Sequence, residues 1–136
     1  MKITIHRGSQ EIGGTCIELA THQTTILLDL GAPLSKNSQF IDPKQIKADA
    51  VLISHPHQDH YGLIEQLDTK TPVYIGALGK SLIDATRIFL RRELPGNNFK
   101  HFTQNKKFQI GDFVITPSLV DPVSYTHLTL PTICSV

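Results

Sequence analysis

The sequence predicts an α/β fold of the mixed, α+β kind: a mixed sheet with helices on its outside. Three observations carry that reading. The first apolar and β-branched runs are spaced as hairpins, and the later ones alternate with helical stretches. No internal repeat and no linker divides the chain. A length of 136 residues, 40% hydrophobic and 18% charged, suits one globular domain with a real core. Thirteen basic against twelve acidic residues leave a net charge of +1. That is too weak a field to argue by itself for nucleic acid or membrane. No apolar run approaches the roughly 20 residues of a membrane span.

The elements follow in order. Lys2 to His6 alternates polar and apolar, as a strand does, and does not read as a signal peptide. Gly8 to Gly14 is a loop with three glycines. Thr15–Ala20 and Thr25–Asp29 are β-branched runs around Thr21-His22-Gln23-Thr24, which predicts a hairpin. Ile26-Leu27-Leu28 is continuously apolar and reads as buried. Asp42-Pro43 can open a short helix with proline at its first position. Ala50–Ile53 is another short buried strand. Tyr61 to Leu67 has room for a helical turn or two, and Val73–Ile75 reads as a strand. From Leu78 to Arg91, the residues Leu78, Leu82, Ala85 and Phe89 share one helical face, predicting a helix packed on the sheet by that face. Pro95-Gly96-Asn97-Asn98 stops it. Lys100–Phe102, Lys107–Ile110 and Phe113–Thr116 read as short strands, the last two joined at Gly111-Asp112.

The end of the chain reads as foreign. Residues 123–132 back-translate as GTC TCT TAT ACA CAT CTG ACG CTG CCG ACG. That resembles, codon for codon, a widely used transposon-type sequencing-library adapter, and Pro122 and Ile133 fit its flanking bases. The expected organisation is a domain over residues 1–122 and non-native sequence over 123–136. Cys134 and His127 then belong to no site. The alternative is an apolar strand from Tyr125 to Val136. Cys16 and Cys134 make neither a disulfide framework nor a cysteine zinc site, so a reducing cytoplasm is expected.

The chemistry concentrates in Ser54-His55-Pro56-His57-Gln58-Asp59-His60. Three imidazoles and a carboxylate fall within six residues, directly after a buried strand. Imidazole nitrogen and carboxylate oxygen suit zinc and similar divalent ions. A strand end running into a loop can turn such side chains into one cavity, and Pro56 restricts the backbone between the first two histidines. A histidine-rich surface loop that binds nothing explains neither the buried strand nor the acid among the histidines.

His55, His57, Asp59 and His60, followed by Gly62, form the His-x-His-x-Asp-His pattern that resembles the signature of the metallo-β-lactamase superfamily. Asp29, ending Leu27-Leu28-Asp29, matches the acidic residue that the superfamily places after an earlier strand. Gly8-Ser9-Gln10-Glu11-Ile12-Gly13-Gly14-Thr15-Cys16 resembles the RNA-processing branch, the ribonuclease J-like, β-CASP-related proteins. The resemblance implies the N-terminal half of an αββα sandwich. It implies His55 and His57 as ligands of a first zinc, and Asp59 and His60 as ligands of a second. Manganese or another divalent ion is an alternative. A hydroxide between the ions would be the nucleophile, with Asp59 as the catalytic residue that helps orient it. Asp29 would support the histidine loop from behind. RNA is the implied substrate. No membrane partner is implied, and a homo-oligomer stays open. A thioester or lactam hydrolase of the same fold is the enzyme rival. A non-catalytic metal-binding module is the rival of another class.

The pattern departs from the family at one point. The superfamily needs a further histidine for the first zinc, which its RNA-processing branch carries in an Asp/Asn-His-Ser sequence. This chain reads Leu119-Val120-Asp121-Pro122, so the expected junction falls in that codon. The expectation is a truncated metallo-β-lactamase domain, inactive as it stands. Other signals are weaker. Arg87, Arg91, Arg92, Lys100, Lys106 and Lys107 form either a basic face for RNA phosphates or a solvated helix face and hairpin. The glycine loop lacks the Lys-Ser/Thr ending of a P-loop and reads as a tight loop near the site. Cys16 reads as a small buried residue. His6, His22 and His101 read as surface or packing residues.

Overall fold

A computed structural model of the chain describes residues 1–118 and the backbone of Pro131–Ser135. Six strands form the first sheet: β1 (Lys2–Arg7), β2 (Cys16–Ala20), β3 (Thr25–Leu28), β4 (Ala50–Leu52), β5 (Pro72–Gly76) and β6 (Asn98–Phe102), in that spatial order. The first three pair antiparallel as hairpins, and β3 to β6 run parallel. A second sheet holds β7 (Phe108–Ile110), β8 (Phe113–Pro117) and β9 (Pro131–Ser135), all antiparallel. The mixed sheet is thus as predicted, and β2 and β3 turn through Thr21–Thr24 as expected, where Thr21 N donates to Thr24 O at 2.8 Å.

Both faces of the first sheet are covered, which explains the continuous apolar runs. On one face Leu27, Val51, Val73 and Ile75 meet Tyr61, Ile64 and Ile83 of the helical layer. On the other, Ile26, Ala50 and Leu52 meet Ile110, Phe113 and Ile115 of the second sheet. Neighbours such as Ile26 and Leu27 therefore serve different cores, as strand alternation requires. Each fully buried side chain of this size contributes about 1.5–3 kcal/mol of apolar burial.

Short helices fill the connections. A 3-10 turn at Pro43–Gln45 is capped by Asp42, whose side chain accepts from Lys44 N, with proline in its first turn as predicted. Helix α1 (Gln58–Tyr61) and a 3-10 turn at Ile64–Gln66 follow β4. Helix α2 (Ala77–Phe89) joins β5 to β6. No helix among the described residues is long and apolar enough to cross a membrane.

One expectation is corrected. Helix α2 forms where predicted, but it does not pack by the Leu78, Leu82, Ala85 and Phe89 face. Its buried residues are Gly79 and Ile83, while Leu78 is 65% and Phe89 86% exposed. The half-buried Lys80 and Asp84 beside Ile83 pair at 2.7 Å, and the Lys80 ammonium lies 4.6 Å from the Phe99 ring centre. The connection decides this. Gly76 ends β5 and is also the N-cap of α2, so no linker lets the helix rotate to its more apolar face. In the tail, β9 pairs with β8, whereas Tyr125, Leu128 and Leu130 lie outside the described residues, as do Asp121 and Pro122.

Candidate metal centre

The site is assembled at the carboxyl ends of β3 and β4, where open α/β sheets bind their ligands. Asp29, just past β3, has φ 59°, the left-handed region that asparagine and aspartate tolerate best among residues with a side chain. This turn aims its carboxylate under the histidine loop. Asp29 is 2% exposed and accepts three hydrogen bonds. Ser54 N donates at 2.7 Å, Ser54 Oγ at 2.8 Å and His60 Nδ1 at 2.7 Å. Ser54 Oγ also lies 3.0 Å from His55 Nδ1 and 3.3 Å from His60 Nδ1. Because Ser54 gives its proton to Asp29, it is placed to accept from His55.

This network gathers the rings. The centres of His55 and His60 are 3.7 Å apart, and those of His55 and His57 are 4.7 Å apart. His55 is buried and His57 exposed. The motif is not all loop, as the sequence suggested. His57 is the N-cap of α1, so Asp59 and His60 stand on one helical turn. The Asp59 carboxylate lies 3.5 Å from His60 Nε2. Burial pulls the His60 pKa down, but the hydrogen bond and charge of Asp29, with the charge of Asp59 beside it, outweigh this and hold it above the usual histidine value.

The backbone under Asp59 is closely packed. Gly31 N donates to Thr15 O at 2.9 Å, and Thr15 N to Asp59 O at 3.0 Å. A Cβ on Gly31 would overlap the carbonyl oxygen of Asp59. Gly13 and Gly14 both have positive φ, and a Cβ on Gly13 would lie 2.9 Å from Asp59 Oδ2. The Gly8–Gly14 segment is thus a tight loop against the site.

Two residues here were not singled out from the sequence. Ser54 is one. Its only signal was its place between a buried strand and His55. Arg7 is the other. It is 3% exposed and donates to Gly14 O at 2.6 Å, to Gln39 O at 3.1 Å and to Gly31 O. Strand alternation groups Arg7 with Ile3 and Ile5, which are more than half exposed. A register shift between Ile5 and Arg7 pairs Arg7 with Cys16 and turns it to the other face. Alternation alone gives no sign of such a bulge.

The donor chemistry fits a divalent ion. His55 and His60 each turn Nδ1 toward an oxygen partner, the kind of outer hydrogen bond that ligating imidazoles make. Among the described residues, no group of three or more His, Cys, Asp or Glu side chains is yet arranged around one ion. A catalytic zinc asks for at least three protein ligands.

Comparison with known proteins agrees with this geometry. The family model of the metallo-beta-lactamase superfamily matches residues 11–129, and the chain belongs to that superfamily. Its curated relatives lie in the RNA-processing branch. A "Probable RNase MJ4" of Methanocaldococcus jannaschii is 36% identical over 88 residues, 61% of this chain and 21% of that protein. A "Ribonuclease J" of Sinorhizobium meliloti is 30% identical over 80 residues, 56% of this chain and 14% of that protein. The match thus spans about a fifth or less of these relatives. Among solved structures, the subclass B3 metallo-beta-lactamase MEM-A1, from a soil metagenome library, superposes with a TM-score of 0.61 at 18% identity. It covers 94% of this chain and 56% of the other.

Proposed function

We propose that this chain carries half of the active site of a dinuclear-zinc hydrolase that cleaves RNA phosphodiester bonds. The observation that carries the reading is the buried Asp29–Ser54 network, which gathers His55 and His60 and holds each ring by its Nδ1. His55 and His57 would hold the first ion, and Asp59 and His60 the second. Manganese is an alternative to zinc. Bound metal would supply an acidified water and neutralise phosphate charge. The chain's own residues do the rest. Asp59, beside His60 at the lip of the site, orients the attacking water. Asp29 fixes the ring plane of His60 directly and that of His55 through Ser54. Arg7 and the glycine loop brace the turn that carries Asp59. The names of the curated relatives support RNA as the substrate. The codon match supports reading residues 123–136 as outside the domain and the activity as that of a longer parental chain. The cytoplasm is the expected compartment.

The test is cleavage of a labelled single-stranded RNA with and without chelator, beside a β-lactam and a thioester. The 136-residue chain should be inactive, because His55 and His57 supply only two of the ligands one ion needs. The chain extended in the parental frame past Asp121 should cleave RNA and lose that activity with chelator. Chelator-resistant cleavage would overturn the mechanism. Thioester turnover without RNA cleavage would move the substrate to the rival reading of the same fold.

A further inference from the structure

The basic residues singled out from the sequence are split by the fold. Arg87 is tied to Glu65 by an ion pair, and its Nε donates to Glu93 O at 2.8 Å. Lys106 and Lys107 are exposed, and they line a cavity of about 240 Å³ between the end of β6 and the start of β7. Its floor is aromatic. Tyr74 and Phe108 stack with ring centres 5.2 Å apart and planes 16° apart. Phe102 and Phe108 continue the ladder at 6.2 Å and 9°. All three rings are only half-buried. His101 completes the rim, and among the described residues no carboxylate lines the cavity.

The location gives this groove its meaning. Strands β3 to β6 are parallel, so Phe102, at the carboxyl end of β6, lies at the same end of the sheet as the histidine cluster after β4. Two strand spacings separate them, on the order of 10 Å. Nucleotides adjoining a phosphate held at His55–His60 can reach it along the sheet end. Parallel aromatic faces beside unpaired cationic side chains are how proteins hold single-stranded nucleic acid without reading its sequence, base on ring and phosphate on lysine.

We infer that the groove of Tyr74, Phe102, Phe108, Lys106 and Lys107 is a subsite for a nucleotide flanking the cleaved bond of single-stranded RNA. The inference rests on the RNA-hydrolase reading and adds where the strand runs. Lys106 and Lys107 contact phosphates, and Phe102, at the open end of the ladder, stacks a base.

Fluorescence anisotropy tests it with the 136-residue chain, a labelled oligouridylate and chelator present, so that no cleavage intervenes. Lys106→Gln with Lys107→Gln should weaken binding about tenfold at low salt. It should also flatten the log–log salt dependence by about 1.4, two phosphate contacts at about 0.7 each. Phe102→Leu should weaken binding by at least about fivefold with little change in salt slope. Lys44→Gln with Lys47→Gln removes the same charge beside β4's opposite end and should change neither. Circular dichroism and thermal melting confirm that each variant folds. Failure of the wild-type chain to bind RNA, or equal loss from both lysine pairs, would overturn the subsite. So would full binding by the Lys106/Lys107 and Phe102 variants. Chelator-sensitive cleavage by the longer chain would still stand in each case, so the two readings fail separately.

Discussion

Replacing Asp29 by alanine removes the acceptor of three hydrogen bonds and strands the groups that made them. Ser54 N and Ser54 Oγ are buried; the amide loses its carboxylate acceptor, and the hydroxyl is left with the ring nitrogens of His55 and His60 at 3.0 and 3.3 Å. Hydrogen bonds to a charged group contribute about 1.5–3 kcal/mol each, but they share one carboxylate and do not add fully. Breaking a buried charged network from one side costs about 3–5 kcal/mol, and that is the expected loss for Asp29→Ala. Asp29→Asn keeps the volume and one acceptor for Ser54 N, so about 1–2 kcal/mol is expected. Urea unfolding of the metal-free chain measures both, and NMR titration follows the His60 ring. Asp29 holds the His60 pKa above its ordinary value of 6.5, so this contribution is fully present below about pH 6.5. It is lost as pH rises through the folded-state pKa. The stability gap between wild type and Asp29→Asn should therefore be wider at pH 6 than at pH 8.5, and the His60 pKa should fall in the variant. A loss under about 0.5 kcal/mol for Asp29→Ala, the range of an ordinary surface change, or an unmoved His60 pKa would refute the reasoning.

Three further outcomes follow from the packing. Ile83→Ala in α2 should cost about 2–5 kcal/mol, whereas Leu78→Gln should stay within about 0.5 kcal/mol; equal losses in urea would mean the helix packs by its more apolar face after all. Arg7→Met should cost about 3 kcal/mol or more, because it orphans the carbonyls of Gly14, Gly31 and Gln39, and amide exchange should rise first along residues 13–15 and 59–60. Burial pushes the Cys16 thiol up to about 12, so in the native chain at pH 8 peptide mapping should find Cys16 unalkylated until denaturant is added.

Much of the fold was legible in the sequence. Continuous runs such as Ile26-Leu27-Leu28 marked strands buried on both faces, and Thr21–Thr24 marked a hairpin. His55, His57, Asp59 and His60 were legible as a cluster because four metal-type donors in six residues are hard to explain otherwise. The Asp29 position was legible only beside that cluster. Tertiary structure alone decided three things. The face by which α2 packs was set by its direct junction with β5 at Gly76, a geometric constraint that hydrophobic periodicity does not contain. The burial of Arg7 was set by one bulge in β1, which turns this last residue of the strand to the opposite face. The aromatic groove joins Tyr74, Phe102 and Phe108 from three different strands, and only the meeting of two sheets could stack them. Local sequence specifies which residues a strand or turn contains; which of them face each other across the molecule depends on register and on connections of zero length, and both act at a distance in the chain.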